Sequence, residues 1–102
     1  MEKNLQTNPA FKDLCSTMSQ INSPIDMAAF LRDLCTLKEL ADMTERWQIV
    51  RLLQQGLSYR AIANITKSST TTITRVAYWL RSGEGGYASQ IDPHHQNKNP
   101  VA

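Results

Sequence analysis

Residues 58–81 read SYRAIANITKSSTTTITRVAYWLR, and this stretch predicts two short helices joined by a polar turn. Ser58 is a good N-cap for a first helix that runs from Tyr59 to about Thr66. The connection, residues 67–69, is short and polar. The threonine run that follows favours a strand by composition alone. The apolar residues of this segment, however, recur at i, i+3, i+4 and i+7, which predicts a helix. They are Ile73, Val76, Ala77 and Leu80.

Two short helices with a three-residue connection have the spacing of a helix-turn-helix, here over about residues 58–81. Ala63 is small at the point where the second helix must pack close. Ile62, Ile73 and Val76 are expected to form the core shared by the pair. Many such motifs begin the turn with glycine, whereas this chain has Lys67, which must tolerate the turn conformation.

The face of the second helix opposite its apolar side carries short polar side chains, an arginine and a tyrosine. A recognition helix lies in the major groove and presents its N-terminal turns to base edges. Threonine can donate, accept and offer a methyl group, and arginine can bond guanine or phosphate. The predicted DNA-contacting residues are Arg60, Lys67, Ser69, Thr70, Thr71, Thr72, Thr74, Arg75 and Tyr78.

Charge along the chain is concentrated on this motif. The whole chain carries a net charge of only +2. Residues 44–81 contain one acidic side chain, Glu45, and six cations, namely Arg46, Arg51, Arg60, Lys67, Arg75 and Arg81. Such asymmetry is typical of a nucleic-acid-binding surface. The alternative is a non-enzymatic helical protein-interaction module whose threonine-rich face is only solvated.

Helical spacing continues on the N-terminal side of the motif. Apolar stripes lie along residues 11–18 and 27–35, with Ser23-Pro24 as the start of the second helix. Residues 36–39 form a capping box that predicts a short third helix, and Thr44 is a candidate cap for a fourth that ends at Gly56. We therefore expect one all-α domain over residues 10–83, between a flexible N-terminus, 1–9, and a flexible C-terminal tail, 84–102.

Composition and motifs exclude several classes of protein. With 102 residues, 41% hydrophobic and 20% charged, the chain fits one small domain. The helical region holds no catalytic set of side chains, so no enzyme is predicted. His94 and His95 lack further ligands, so no metal site is predicted. No apolar run is long enough for a membrane span and no signal peptide is visible, so we expect a cytoplasmic protein without a membrane partner.

Two segments resemble the Trp repressor family. Ser58-Tyr59-Arg60 is similar to the family's Ser-x-Arg, and Thr71-Thr72-Ile73-Thr74-Arg75 to its Ala-Thr-Ile-Thr-Arg. The resemblance is strong over residues 44–81 and extends by helix order over 10–83. It implies a six-helix all-α fold, an interlocked homodimer, and two helix-turn-helix heads that bind a palindromic DNA operator. The implied function is a sequence-specific transcription regulator, with repression as the expected direction.

The resemblance also implies a ligand, L-tryptophan, but this chain departs from the family at the ligand pocket. The family's Thr-Arg-Gly, in which glycine leaves room for the indole, appears here as Thr74-Arg75-Val76. The family's serine three residues after that glycine is Trp79 here, and Arg46 is the candidate for the second pocket arginine. Because Val76 and Trp79 take up space, we expect no tryptophan corepressor. Another small effector, or none, remains open.

Overall fold

A computed structural model describes residues 1–91, which form seven α-helices and no strand. The helices are α1 (Lys3–Gln6), α2 (Pro9–Ser19), α3 (Pro24–Leu34), α4 (Leu37–Gln54), α5 (Tyr59–Thr66), α6 (Thr70–Ser82) and α7 (Gly86–Ile91). The predicted all-α class is confirmed, with one more helix in the described residues than the expected six. The chain divides into two compact units, residues 1–40 and the chain from residue 41 onward.

The two main helices of the N-terminal unit begin with the same device, a capping side chain followed by proline. The Asn8 side chain accepts hydrogen bonds from the N–H groups of Ala10 and Phe11, at 2.8 and 3.2 Å. Ser23 accepts one from Asp26 N–H at 3.3 Å, ahead of Pro24. The Ser23 cap was predicted, whereas the Asn8 cap and helix α1 lie in the segment expected to be flexible. The Asn8 side chain caps α2, whereas α1 begins without a side-chain cap.

The N-terminal unit contains no buried residue. The apolar side chains of α2 and α3 recur at the predicted helical spacing, but they are at most half-buried within this chain. Leu34 and Ile25 are exposed, and Cys15, which lies on the α2 stripe, is exposed as well. These helices therefore leave part of their apolar surface uncovered by the single chain.

The capping box at the start of α4 forms as predicted. Thr36 N–H donates to Glu39 Oε1 at 2.8 Å, and Glu39 N–H donates to Thr36 Oγ1 at 3.1 Å. These bonds to Thr36 hold the pKa of the Glu39 carboxyl below its ordinary value. The prediction of separate third and fourth helices is wrong, because one helix continues to Gln54. Thr44 lies inside it and makes no cap.

Glycine ends α4 where the sequence predicts a stop. Gly56 has a φ of +85°, in the left-handed region that side chains rarely adopt. Gly56 N–H donates to Leu53 O at 3.0 Å and Leu57 N–H to Leu52 O at 3.3 Å, the paired bonds of a Schellman motif. The chain then turns directly into α5.

Helices α5 and α6 form the predicted helix-turn-helix, with the predicted Ser58 cap on α5 and a Ser69 cap on α6. Ser58 Oγ accepts from Ala61 N–H at 3.1 Å, and Ser69 Oγ accepts from Thr72 N–H at 3.1 Å. Lys67 ends α5 with a φ of +60°, and its N–H donates to Ala63 O at 2.8 Å. Lysine therefore adopts the left-handed conformation that glycine takes in many such turns, at a steric cost.

Five side chains with no exposed surface form the core of the second unit. They come from α4, α5 and α6, and they are Ile49, Val50, Ile62, Ile73 and Val76. The last three are the residues predicted to be shared by the helix-turn-helix pair, and this prediction is confirmed. The core thus fixes the two motif helices against the second half of α4.

Residues 86–91 form α7 rather than the start of a flexible tail. Tyr87 and Ile91 pack against the core, and the Tyr87 and Trp47 rings lie 6.2 Å apart at 38°. Gln54 Nε2 also donates to Ile91 O at 3.1 Å. Partial burial of these two side chains explains why a segment that follows Gly83 and Gly85 is helical. The rest of the predicted tail lies outside the described residues.

Candidate nucleic-acid interface

The outward face of α6 is an open, shallow trough. Its volume is about 510 Å³, and its lining comes from a single helix: Thr70, Thr71, Thr74, Arg75 and Tyr78. All five were predicted to contact DNA, and all five are exposed. Tyr78 is the most prominent apolar group among them, with 54% of its surface accessible. The trough lies along the first two turns of α6 and continues into the third.

Five of the six cations of the motif region are exposed, namely Arg51, Arg60, Lys67, Arg75 and Arg81. Arg51 is engaged elsewhere, since its guanidinium lies 4.9 Å from the centre of the Trp47 ring. Arg46 is half-buried. Cationic side chains therefore occur on α5, in the turn and on α6. This distribution suits a polyanion that contacts both helices.

Ser69 and Thr72 have a different role from the other predicted contacts. The Ser69 hydroxyl caps α6 and lies 3.0 Å from Thr72 Oγ1. Thr72 is half-buried and lines a second cleft, between α4 and α6, whereas Thr71 and Tyr78 line only the trough. The structure therefore places Thr72 beside the trough rather than in it. A helical period of 100° per residue sets Thr72 about a quarter turn or more from Thr71 and Thr74.

A buried polar network fixes the turn to α4. Ser68, 8% exposed, donates to Glu45 Oε2 at 2.5 Å. Thr66 Oγ1 lies 2.8 Å from Ser68 Oγ and accepts from Ser68 N–H at 3.2 Å. A hydrogen bond to a charged group is stronger than one between neutral groups. The network therefore ties the turn between α5 and α6 to the Glu45 side chain on α4.

Sequence reasoning missed this anchor. Glu45 is the single acidic residue of an otherwise basic block, and that isolation is the signal that could have found it. Ser68 resembled an ordinary turn residue. Its contact with Glu45 spans 23 positions, which no local pattern reveals.

A second, smaller cleft lies between α4 and α6. Its volume is about 200 Å³, and it is lined by Asp42, Glu45, Arg46, Thr72, Arg75, Val76 and Trp79. All four residues predicted for an effector pocket, Arg46, Arg75, Val76 and Trp79, are brought together here. Two carboxylates and two guanidinium groups face one space, so the lining contains both signs of charge.

The dimensions of this cleft bear on what it can hold. Typical small-molecule sites enclose about 300–1,000 Å³. Val76 is fully buried, and Trp79 is 41% exposed. The side chains that differ from the family pattern thus belong to the lining of the cleft, whose volume is below this range.

Within residues 1–91, no three His, Cys, Asp or Glu side chains are grouped to hold a metal ion. His94 and His95 lie outside the described residues. No helix of the described part of the chain is long and apolar enough to cross a membrane.

The features of this region are a capped α6, an α5 that packs on the core, and exposed cations. The sequence profile of the Trp repressor protein family matches residues 9–95. The chain belongs to the Trp repressor family. The match is wider than the strongest sequence likeness at residues 44–81. A DNA-binding regulator is the class of function that this family suggests.

Individual family members show how far the likeness extends. The uncharacterized protein YerC of Bacillus subtilis is 36% identical over 63 residues, 62% of this chain and 61% of YerC. This chain thus matches less than two thirds of its curated relative. A TrpR-like protein of Eubacterium eligens superposes with a TM-score of 0.80 at 27% identity, over 86% of this chain and 91% of that one.

A further Trp repressor family structure comes from Staphylococcus aureus and is provisionally described as a Trp repressor. It superposes with a TM-score of 0.82 at 26% identity and covers 92% of this chain and 94% of its own. Most of both chains is therefore matched in fold.

Proposed function

We propose that this Trp repressor family member is a sequence-specific DNA-binding transcription regulator that acts as a homodimer on a palindromic operator and represses. One observation carries the proposal. The outward face of α6 carries accessible threonines and Arg75, while its inward face is locked into the core by Ile73 and Val76. A rigid helix with a polar, cationic outer face is what the major groove admits.

The positions of the cations support contact with the DNA backbone. Arg60 on α5 and Lys67 in the turn are exposed and precede the trough in the chain. The first N–H groups of α6 add a positive helix terminus next to the Ser69 cap. These groups position the protein, while Arg75 and the trough threonines are placed to read base edges.

The N-terminal unit supports the homodimer. None of its residues is buried in the single chain, although α2 and α3 carry regular apolar stripes. Apolar surface of this extent is normally covered by a partner. A second copy of the same helices supplies a matching surface, and a two-fold dimer would place two reading heads on two half-sites.

We further propose that DNA binding does not depend on L-tryptophan. Val76 and Trp79 form part of the cleft between α4 and α6, and its volume of about 200 Å³ is below the usual range for small-molecule sites. A ligand shifts a conformational equilibrium only by its differential affinity for the two states. A cleft already occupied by side chains offers little such difference.

The test is selection of bound sequences from random duplex DNA by the full chain, with and without millimolar L-tryptophan. The expected result is one palindromic sequence in both conditions, with half-sites about one helical turn apart, as in other helix-turn-helix dimers. Arg60→Ala should weaken binding to the selected site by roughly 1–3 kcal/mol if it contacts a base. Lys12→Ala, an exposed cation on α2, is the matched control and should leave binding unchanged.

Other outcomes separate the alternatives. Enrichment of a DNA sequence only in the presence of L-tryptophan would disprove the proposal that binding does not depend on this ligand. Failure to enrich any sequence, without salt-dependent binding to duplex DNA, would favour a protein-interaction module instead. Transcription from a promoter that carries the selected site should fall when the protein is added. A rise would reverse the proposed direction of regulation.

A further inference from the structure

The hydroxyl residues around the turn fall into two groups. Four are hydrogen-bonded within the fold: Thr66, Ser68, Ser69 and Thr72. In the described chain, the side chains of the other three, Thr70, Thr71 and Thr74, make no hydrogen bond. The hydroxyls of the first group thus hold the turn and α6 in place, whereas the three threonines of the second group are accessible on the trough.

The trough is apolar as well as polar. Threonine contributes a methyl group beside its hydroxyl, and Tyr78 contributes most of an aromatic ring. Because threonine and tyrosine line most of this shallow surface, its lining is mostly apolar. An accessible apolar surface on a DNA-facing helix is complementary to an apolar group on the DNA edge. In the major groove, the C5-methyl of thymine is that group.

We propose that the trough is a specificity site for the thymine C5-methyl group, with Tyr78 and the Thr71 and Thr74 methyl groups as its contacts. This inference rests on the proposed function. It adds the base feature that is read and the part that Tyr78, already a predicted DNA contact, plays in reading it. Arg75 lines the same trough and supplies the polar contact beside the methyl site.

Charge favours DNA as the occupant over a protein surface. Arg75 lies in the trough, Arg60 and Lys67 precede it, and no acidic residue occurs between positions 46 and 83. Glu45, the nearest acid before that range, is held by Ser68. A surface with apolar and cationic groups and without carboxylates is complementary to a methylated base edge flanked by phosphates.

The test uses the duplex selected under the proposed function, with thymines replaced one at a time by deoxyuridine. This change removes the C5-methyl and keeps the base-pairing edge. Affinity should fall about fourfold at one or two positions in each half-site, the value of roughly one buried methyl group. The remaining thymines should tolerate the replacement.

Variants then assign the effect to the trough. Tyr78→Ser and Thr71→Ser should each reduce the preference for thymine over uracil, because each removes apolar contact. Thr71→Val keeps the methyl group and should retain the preference at that contact. Arg81→Ala is the control on the same helix. It should leave the thymine-to-uracil ratio unchanged, whatever its effect on total affinity.

The outcomes distinguish the two proposals. A protein that binds its selected site but is indifferent to every thymine-to-uracil change overturns the methyl site and leaves DNA binding intact. A preference that survives in both Tyr78→Ser and Thr71→Ser also overturns it, because DNA shape would then be the cause. Absence of specific binding to any duplex overturns both.

Discussion

The two units of this chain differ in how they treat apolar residues. In the helix-turn-helix unit, five side chains from three helices have no exposed surface. In residues 1–40, no side chain is buried, although the apolar spacing along α2 and α3 is just as regular. Regular spacing therefore tells which face of a helix will be covered, but it does not tell whether the same chain or another one covers it.

The difference has a consequence for stability. The second unit has a core of its own, a polar anchor and caps on both motif helices. The N-terminal unit has capped helices and little else within one chain, since local caps contribute only about 1 kcal/mol each. Its order is expected to depend on protein concentration, as in obligate dimers.

The largest expected effect is in the N-terminal unit. Leu14→Asp puts a carboxylate on the α2 apolar stripe, whereas Ser16→Asp puts the same charge on the opposite, exposed side. Leu14→Asp should raise the dimer dissociation constant by at least about three orders of magnitude, since two leucines lose burial worth about 2 kcal/mol each and two carboxylates are desolvated.

Sedimentation at micromolar concentration measures this effect. The natural chain and Ser16→Asp should sediment near twice 11.5 kDa, and Leu14→Asp near 11.5 kDa. If the natural chain is monomeric under these conditions, a second copy does not cover the apolar stripes of residues 1–40, and this explanation of the contrast between the two units is wrong.

The next effect compares two isoleucines on one helix. Ile62 is fully buried, whereas Ile65, one turn later on α5, is 51% exposed. Ile62→Ala should lower the free energy of unfolding by about 2–5 kcal/mol, through lost burial and a residual cavity. Ile65→Ala should lower it by about 1 kcal/mol or less. Denaturant unfolding at fixed protein concentration measures both, and equal losses would contradict the core assignment.

A smaller effect should follow from loss of the polar anchor. Ser68→Ala leaves the Glu45 carboxylate without its hydroxyl donor and should cost about 1.5–3 kcal/mol. Glu45→Ala with Ser68→Ala should cost less than the sum of the single changes, because the second change removes a partner already lost. Additive losses in this double-mutant cycle would show that the two side chains do not interact.

The smallest effect has the opposite sign. Lys67 has a φ of +60°, which costs a side-chain-bearing residue roughly 1–2 kcal/mol relative to glycine. Glycine loses more backbone entropy on folding, about 0.5–1 kcal/mol. Lys67→Gly should therefore raise the unfolding free energy by up to about 1 kcal/mol while weakening DNA binding through the lost charge. Thermal unfolding and a binding titration separate the two effects, and a destabilised variant would contradict the first.

The secondary structure around the caps could be predicted closely from sequence. Ser23, Ser58 and Ser69 each start a helix where their side chains meet the following N–H groups, and Gly56 ends one. These interactions span two to five residues, so the local sequence contains them. Thr44 had the same chemistry but lies inside α4, because the helix on both sides of it continues without a break.

The candidate site was only partly predictable. Helical periodicity placed Thr71, Thr74 and Tyr78 on one face, and the structure has them there. Thr72 was assigned to the same site, although its side chain faces the cleft between α4 and α6. Thr72 lies at the edge of the exposed face of α6, and helical periodicity alone does not tell whether such a residue belongs to that face or to the neighbouring cleft. The position of α4 decides between them.

The sequence by itself determined the helical class, most of the helix caps, the helix-turn-helix and its cationic character, because each depends on residue type and short-range spacing. Tertiary structure alone decided that α7 docks through Tyr87, that Ser68 bonds Glu45, and that Asp42 and Thr72 line one small cleft. These features join residues more than 20 positions apart. Their formation depends on how the α4, α5 and α6 surfaces pack together, which no local pattern specifies.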